Sequence, residues 1–167
     1  YVVIREIMGN YSGTNLFGPY DTITRAQVAT ILWRLAGSPA SSISQPFSDA
    51  DPNEYYYKAL CWAKEIGVST GYSGTDFFGP NDPVTREQLA TLFARYASVV
   101  DGRDTSSDCT AMNSKNGVDE VSDYAREAMG WAVDTGLVTG VNGTDLEPGG
   151  TAWRASMAEM VKRYSSL

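Results

Sequence analysis

The chain has 167 residues, 43% of them apolar, with 13 basic against 20 acidic side chains and a net charge of −7. That is enough for one domain with a real core or for a compact array of small repeats, and it excludes a disordered chain. The acidic balance lacks the basic footprint of a nucleic-acid binder, although a few recessed arginines are still able to hold an anion locally, because repulsion is screened beyond roughly 8 Å at physiological salt.

Histidine is absent, which removes the commonest general base and the commonest metal ligand together. No apolar run approaches the roughly 20 residues of a membrane span, so no membrane insertion is expected. The opening Tyr1-Val-Val-Ile-Arg-Glu6 does not read as a signal peptide, so a secreted protein would carry its leader upstream. Cys61 and Cys109 fit one disulfide or two free thiols, and both readings stay open.

In chain order, residues 1–37 form a first unit whose opening is cut short. Its loop, Asn10-Tyr-Ser-Gly-Thr-Asn-Leu-Phe-Gly-Pro-Tyr-Asp-Thr-Ile-Thr-Arg25, leads into a helix with Val28, Ile31, Leu32 and Leu35 on one face. Thr24-Arg-Ala-Gln27 is a capping box for that helix. The second unit, 46–98, opens with Asp51-Pro-Asn-Glu54 as helix cap, followed by Tyr56, Leu60, Ala63 and Ile66 up to a terminating Gly67. The loop then returns as Gly71-Tyr-Ser-Gly-Thr-Asp-Phe-Phe-Gly-Pro-Asn-Asp-Pro-Val-Thr-Arg86, so that Arg25 becomes Arg86, 61 positions on. A second capping box, Thr85-Arg-Glu-Gln88, starts a helix with Leu89, Leu92, Phe93 and Tyr96.

Residues 101–117 are polar, have no counterpart elsewhere, and are expected to form an exposed, mobile insertion. The third unit, 118–165, starts a helix near Ser122 with Ala125, Met129, Ala132 and Val133, and stops it at Gly136. Its loop, Gly140 to Arg154, is one residue shorter. Met157, Met160, Val161 and Tyr164 make the third apolar stripe. Trp153 replaces the capping threonine, so this helix is expected to start less firmly. No single stripe can bury itself alone, which predicts an all-α fold of three helix-loop-helix repeats around a central three-helix bundle. Trp62 and Trp131 hold equivalent places and are expected to pack between helices, whereas Trp153 is a candidate for exposure.

Phe47-Ser-Asp49, Trp62-Ala, Gly71-Tyr-Ser-Gly-Thr, Phe78-Gly-Pro and Val84-Thr-Arg-Glu-Gln88 together resemble an S-layer homology repeat. The resemblance covers nearly everything except the insertion and the missing start. It implies a pseudo-threefold prism whose inter-repeat grooves bind a secondary cell-wall polysaccharide, often one with a pyruvylated sugar, in a secreted protein at the bacterial cell wall or S-layer. By the same resemblance the arginine of the helix-opening motif contacts the ligand, which carries over to Arg25, Arg86 and Arg154. The opening aspartate maps to Asp49 and the loop glycines to Gly71 and Gly140, with Asn10 at that position in the first unit.

A guanidinium offers a planar fork matched to a carboxylate, and at helix position N1 it is expected to sit beside free backbone N–H groups that also favour an anion. Tyr11 and Tyr72 are placed to pack on a sugar face. The competing reading is that each arginine pairs with an acid and pins the loop to the helix. No catalytic residues, cofactor or metal are expected: no two carboxylates are marked for a shared site, and Asp49-Ala-Asp-Pro-Asn53 lacks the glycine and final glutamate of a calcium loop. The alternative to polysaccharide binding is a lattice module that self-associates in a surface layer.

Overall fold

A computed structural model describes residues 2, 3 and 5–167. Among these, five α-helices carry the fold: α1 (Arg25–Leu35), α2 (Tyr57–Glu65), α3 (Arg86–Asp101), α4 (Arg126–Asp134) and α5 (Arg154–Tyr164). Three short 3-10 turns lie between α3 and α4. β contacts among the described residues are isolated bridges only, so the chain is all-α.

Helices α1 and α3 begin where the capping boxes place them. Thr24 Oγ1 accepts from Gln27 N while Gln27 Oε1 accepts from Thr24 N, and Thr85 and Gln88 repeat the arrangement. Helix α5 has no side-chain cap at Trp153, yet it starts at the equivalent residue. The reason is a tertiary contact that all three helices share. The first two N–H groups donate to carbonyls of a neighbouring loop: Arg25 to Asp82 and Ala26 to Pro80, Arg86 to Gly150 and Glu87 to Pro148, Arg154 to Asp21 and Ala155 to Pro19.

The opening helix of the second unit starts later than the sequence suggests. Asp51 Oδ1 accepts from Asn53 N at 2.9 Å, a local side-chain turn that competes with helix, and α2 begins only at Tyr57. Likewise α4 begins at Arg126, after a 3-10 turn over Asp123–Ala125.

Three backbone hydrogen bonds close the molecule into a ring. Ile23 N donates to Ala152 O (3.1 Å), Ala152 N to Val84 O (2.8 Å), and Val84 N to Ile23 O (3.0 Å). All three residues are fully buried. They relate the three loops by a pseudo-threefold axis, with bridges Thr24–Pro83, Thr85–Thr151 and Thr22–Trp153 around them. Below the ring the three stripes meet in one core that includes Val28, Leu32, Leu89, Phe93, Met157 and Val161. Burying each such side chain contributes roughly 1.5–3 kcal/mol. Trp62 and Trp131 are buried in the same core, while Trp153 is 48% exposed, its ring edge-on to Tyr20.

The segment 101–117 is mostly exposed and packs on the core at a few points. Met112 is fully buried, and Ser107 and Cys109 lie so close to Gly130 of α4 that a Cβ there would come within 2.6 Å and 2.7 Å of them. Cys61 and Cys109 are both free thiols. No helix of the described residues is long and apolar enough to cross a membrane.

Candidate functional site

The N1 arginines reach from one unit to the next around the ring. Arg25 Nε donates to Phe78 O (2.5 Å), Arg86 Nε to Leu146 O (2.8 Å) and Arg154 Nε to Phe17 O (2.8 Å). Arg154 also gives Nη2 to Gly9 O at 2.8 Å. Arg25 and Arg154 are buried and Arg86 half-buried. Two of them stack on aromatic faces: Arg25 lies 4.3 Å from the Tyr72 ring centre, and Arg154 lies 4.8 Å from that of Tyr11. Burial pulls the Arg25 and Arg86 guanidinium pKa values down from the ordinary range, countered in Arg86 by Glu147 and in Arg25 chiefly by Tyr72 and Asp82; both stay charged at neutral pH.

Among the described residues none of the three makes an ion pair. The arginine therefore does pin the neighbouring loop, but through a carbonyl oxygen rather than an acid, and its remaining N–H groups face the space between units. The expectation of free helix N–H groups beside it does not hold. The N1 and N2 groups are taken by the neighbouring loop, and N3 of α1 and α3 by the capping threonine.

Each inter-unit space is a cleft, and the three share one plan: an N1 arginine facing a loop and the next helix. The first, about 440 Å³, lies between Arg25, the loop Ser69–Ser73 and the α3 face Gln88, Thr91, Leu92 and Arg95, with Tyr124 at its rim. The third, about 400 Å³, sets Arg154 against the loop 8–12 and Gln27, Thr30, Ile31 and Arg34 of α1, with Tyr55 at its rim. The second, about 170 Å³, sets Arg86 against Leu137–Gly140 and Ser156, Glu159, Met160 and Arg163 of α5. Arg25, Arg86, Arg154, Tyr11, Tyr72, Gly71 and Gly140 all line these clefts.

Asp49 does not line them. Its carboxylate accepts from Phe78 N (2.9 Å) and Gly79 N (2.8 Å) and so holds the loop that carries Tyr72; it is a positioning residue. Gly71 is fixed by the same loop: at φ +76°, a Cβ would lie 2.6 Å from Phe77 O. Tyr72 and Tyr11 are held by their hydroxyls, which donate to Asp82 (2.7 Å) and Asp21 (2.6 Å). With one ring face against an arginine, each tyrosine presents only its other face and edge.

Sequence reasoning missed the second arginine of each cleft. Arg34, Arg95 and Arg163 stand nine positions past Arg25, Arg86 and Arg154, and the repeat spacing alone would have found them. Tyr55 and Tyr124 were missed too, since each comes from an element outside the loop-helix motif. Tyr124 Oη donates to buried Glu87 at 3.2 Å, which also accepts from Ser122 N and Oγ.

The family model described as "S-layer homology domain" matches residues 46–90. An endoglucanase of Bacillus sp. (strain KSM-635) is 29% identical over 157 residues, covering 94% of this chain and 16% of that protein. The surface-layer 125 kDa protein of Lysinibacillus sphaericus is 29% identical over 160 residues, covering 94% and 13%. Cell surface glycoprotein 1 of Acetivibrio thermocellus is 27% identical over 153 residues, covering 88% and 6%. The chain thus spans less than a fifth of each of these relatives. The family model lies across the second unit of the ring, so what the comparison shows is a match to the S-layer homology domain at residues 46–90.

Proposed function

We propose that the chain is a non-catalytic module that anchors the protein carrying it to a bacterial cell wall, by binding an acidic secondary cell-wall polysaccharide in its inter-unit clefts. The observation that carries this reading is the N1 arginine of each cleft. It is oriented by a backbone carbonyl, has no carboxylate partner among the described residues, and keeps N–H donors for a ligand carboxylate such as a pyruvate ketal. The relatives fit the same reading: a surface-layer protein, a cell surface glycoprotein and an endoglucanase share this region as a small part of longer chains. The carrier would sit at the cell surface.

Sedimentation with purified sacculi tests the proposal. The chain co-sediments with intact sacculi, loses binding when the polymer is stripped, and is released by a pyruvylated saccharide but not by its neutral parent. Arg25→Ala weakens binding ten- to a hundredfold, the loss of a charged hydrogen bond worth roughly 1.5–3 kcal/mol, with helical content kept by circular dichroism. Binding indifferent to polymer removal would defeat the anchoring reading and leave self-association of the module as the explanation.

A further inference from the structure

The three clefts share a plan but differ in charge. In the first and third, the position five residues past the N1 arginine, in the second turn of the helix, is Thr91 or Thr30. Each hydroxyl folds back onto its own helix, donating at 2.8 Å to Glu87 O and Ala26 O respectively, which leaves the cleft floor neutral. Arg95 and Arg34 beside them are exposed, with no ion-pair partner among the described residues. In the second cleft that position is Glu159. Its Oε1 lies 3.3 Å from Arg163 Nε, and Arg163 Nη1 donates to Leu137 O (3.2 Å) and Thr139 Oγ1 (3.4 Å). The second cleft is also the smallest, about 170 Å³ against 440 and 400 Å³, and its loop carries Val141 where the others carry Tyr72 and Tyr11.

From this we infer that the module is bivalent: the first and third clefts take an acidic saccharide, and the second is closed to it by its own carboxylate. The inference rests on the anchoring function proposed above and fixes how many sites serve it. The Glu159–Arg163 pair is half-exposed and weak by itself. What closes the cleft is that a ligand carboxylate would meet Glu159 as a like charge, find Arg163 already spent on the loop, and have less than half the room. Two sites on one rigid body give the anchor avidity for a polymer with repeated acidic sugars, without any single tight site.

Calorimetric titration with a methyl hexoside bearing a pyruvate ketal counts the sites. The wild-type chain binds two equivalents; Arg95→Ala and Arg34→Ala each reduce this to one, and Arg163→Ala leaves two. Arg34 and Arg95 are exposed, so their removal is not expected to disturb folding, and an unchanged thermal midpoint verifies it. One or three equivalents in the wild type, or a site lost in Arg163→Ala, overturns bivalence and leaves anchoring standing. No binding of the ketal by any variant overturns the acidic-saccharide reading, and bivalence with it.

Discussion

In the loop before α3, Tyr72 donates to Asp82, and Gly79 is bare enough for the ring to lie against it: a Cβ there would sit 2.7 Å from Tyr72 Cε2 and 2.2 Å from Asp82 Oδ2. In the loop before α5 the same three places hold Val141, Gly150 and Glu147, the last at φ +46°. Tyrosine, aspartate and glycine disappear together because each exists for the other two. The latches differ as well. Asp49 holds the second loop with its carboxylate, whereas the third is held by the backbone of Asn116, whose N–H donates to Thr144 O and whose carbonyl accepts from Leu146 N. What stays unchanged is the arginine-to-carbonyl bond and the ring beneath it. The backbone frame is common property of the units, and the chemistry at the rim is free to vary on it.

The largest expected break in this comparison comes from removing the latches. Asp49→Ala strands two loop N–H groups and costs about 3 kcal/mol, at roughly 1.5–3 kcal/mol per charged hydrogen bond, while Asn116→Ala removes only a side-chain bond to Asp145 and costs about 1 kcal/mol. Thermal denaturation should separate them by several degrees, at about 2–4 °C per kcal/mol for a chain of this size; equal midpoints would show that the two latches are equivalent. Next in size is a pair with opposite signs. Gly79→Ala forces a side chain into a left-handed site and onto the Tyr72–Asp82 bond, for a loss of about 1–2 kcal/mol, whereas Glu147→Gly relieves the same backbone site and gains about 0.5 kcal/mol.

The smallest effect is electrostatic. The Tyr124 phenol is pushed up to about 12, first by partial desolvation against the protein and then by the Glu87 carboxylate. Because the folded state favours the neutral phenol, this contribution to stability is complete below pH 10 and is lost as pH rises through about 12. Glu87→Gln should bring the tyrosinate midpoint of Tyr124 back towards the ordinary value in an ultraviolet titration. An unmoved midpoint would mean that Glu87 exerts no electrostatic hold on Tyr124.

The sequence reveals the loops, the caps and the three stripes because each is written locally. Thr24 and Gln27 are three residues apart, and Val28, Ile31 and Leu32 repeat at helical spacing. It hides what joins one unit to another. That Arg154 Nε would find Phe17 O, 137 positions away, has no local signature. The same is true of the helix N–H groups: composition cannot tell an open helix end from one occupied by a neighbour's carbonyl. Arg34 and Arg95 escaped notice because an exposed arginine on a helix reads as solvated surface until the cleft beside it is seen. Asp51 misled for a different reason, since aspartate before proline is both a good helix cap and a good turn former, and here the turn won.

The head-to-tail bonding of Ile23, Val84 and Ala152 sets this module apart from a stack of repeats. A stack has two ends and tolerates losing one unit, because each layer answers only to its neighbours. Here every loop depends on both others, so removing the final loop would leave the Ile23 donor and the Val84 acceptor without partners in the middle of the protein. Formation is then all-or-none and slow to commit, since the decisive contacts join distant parts of the chain. A module built this way has no weakest layer from which to begin unfolding.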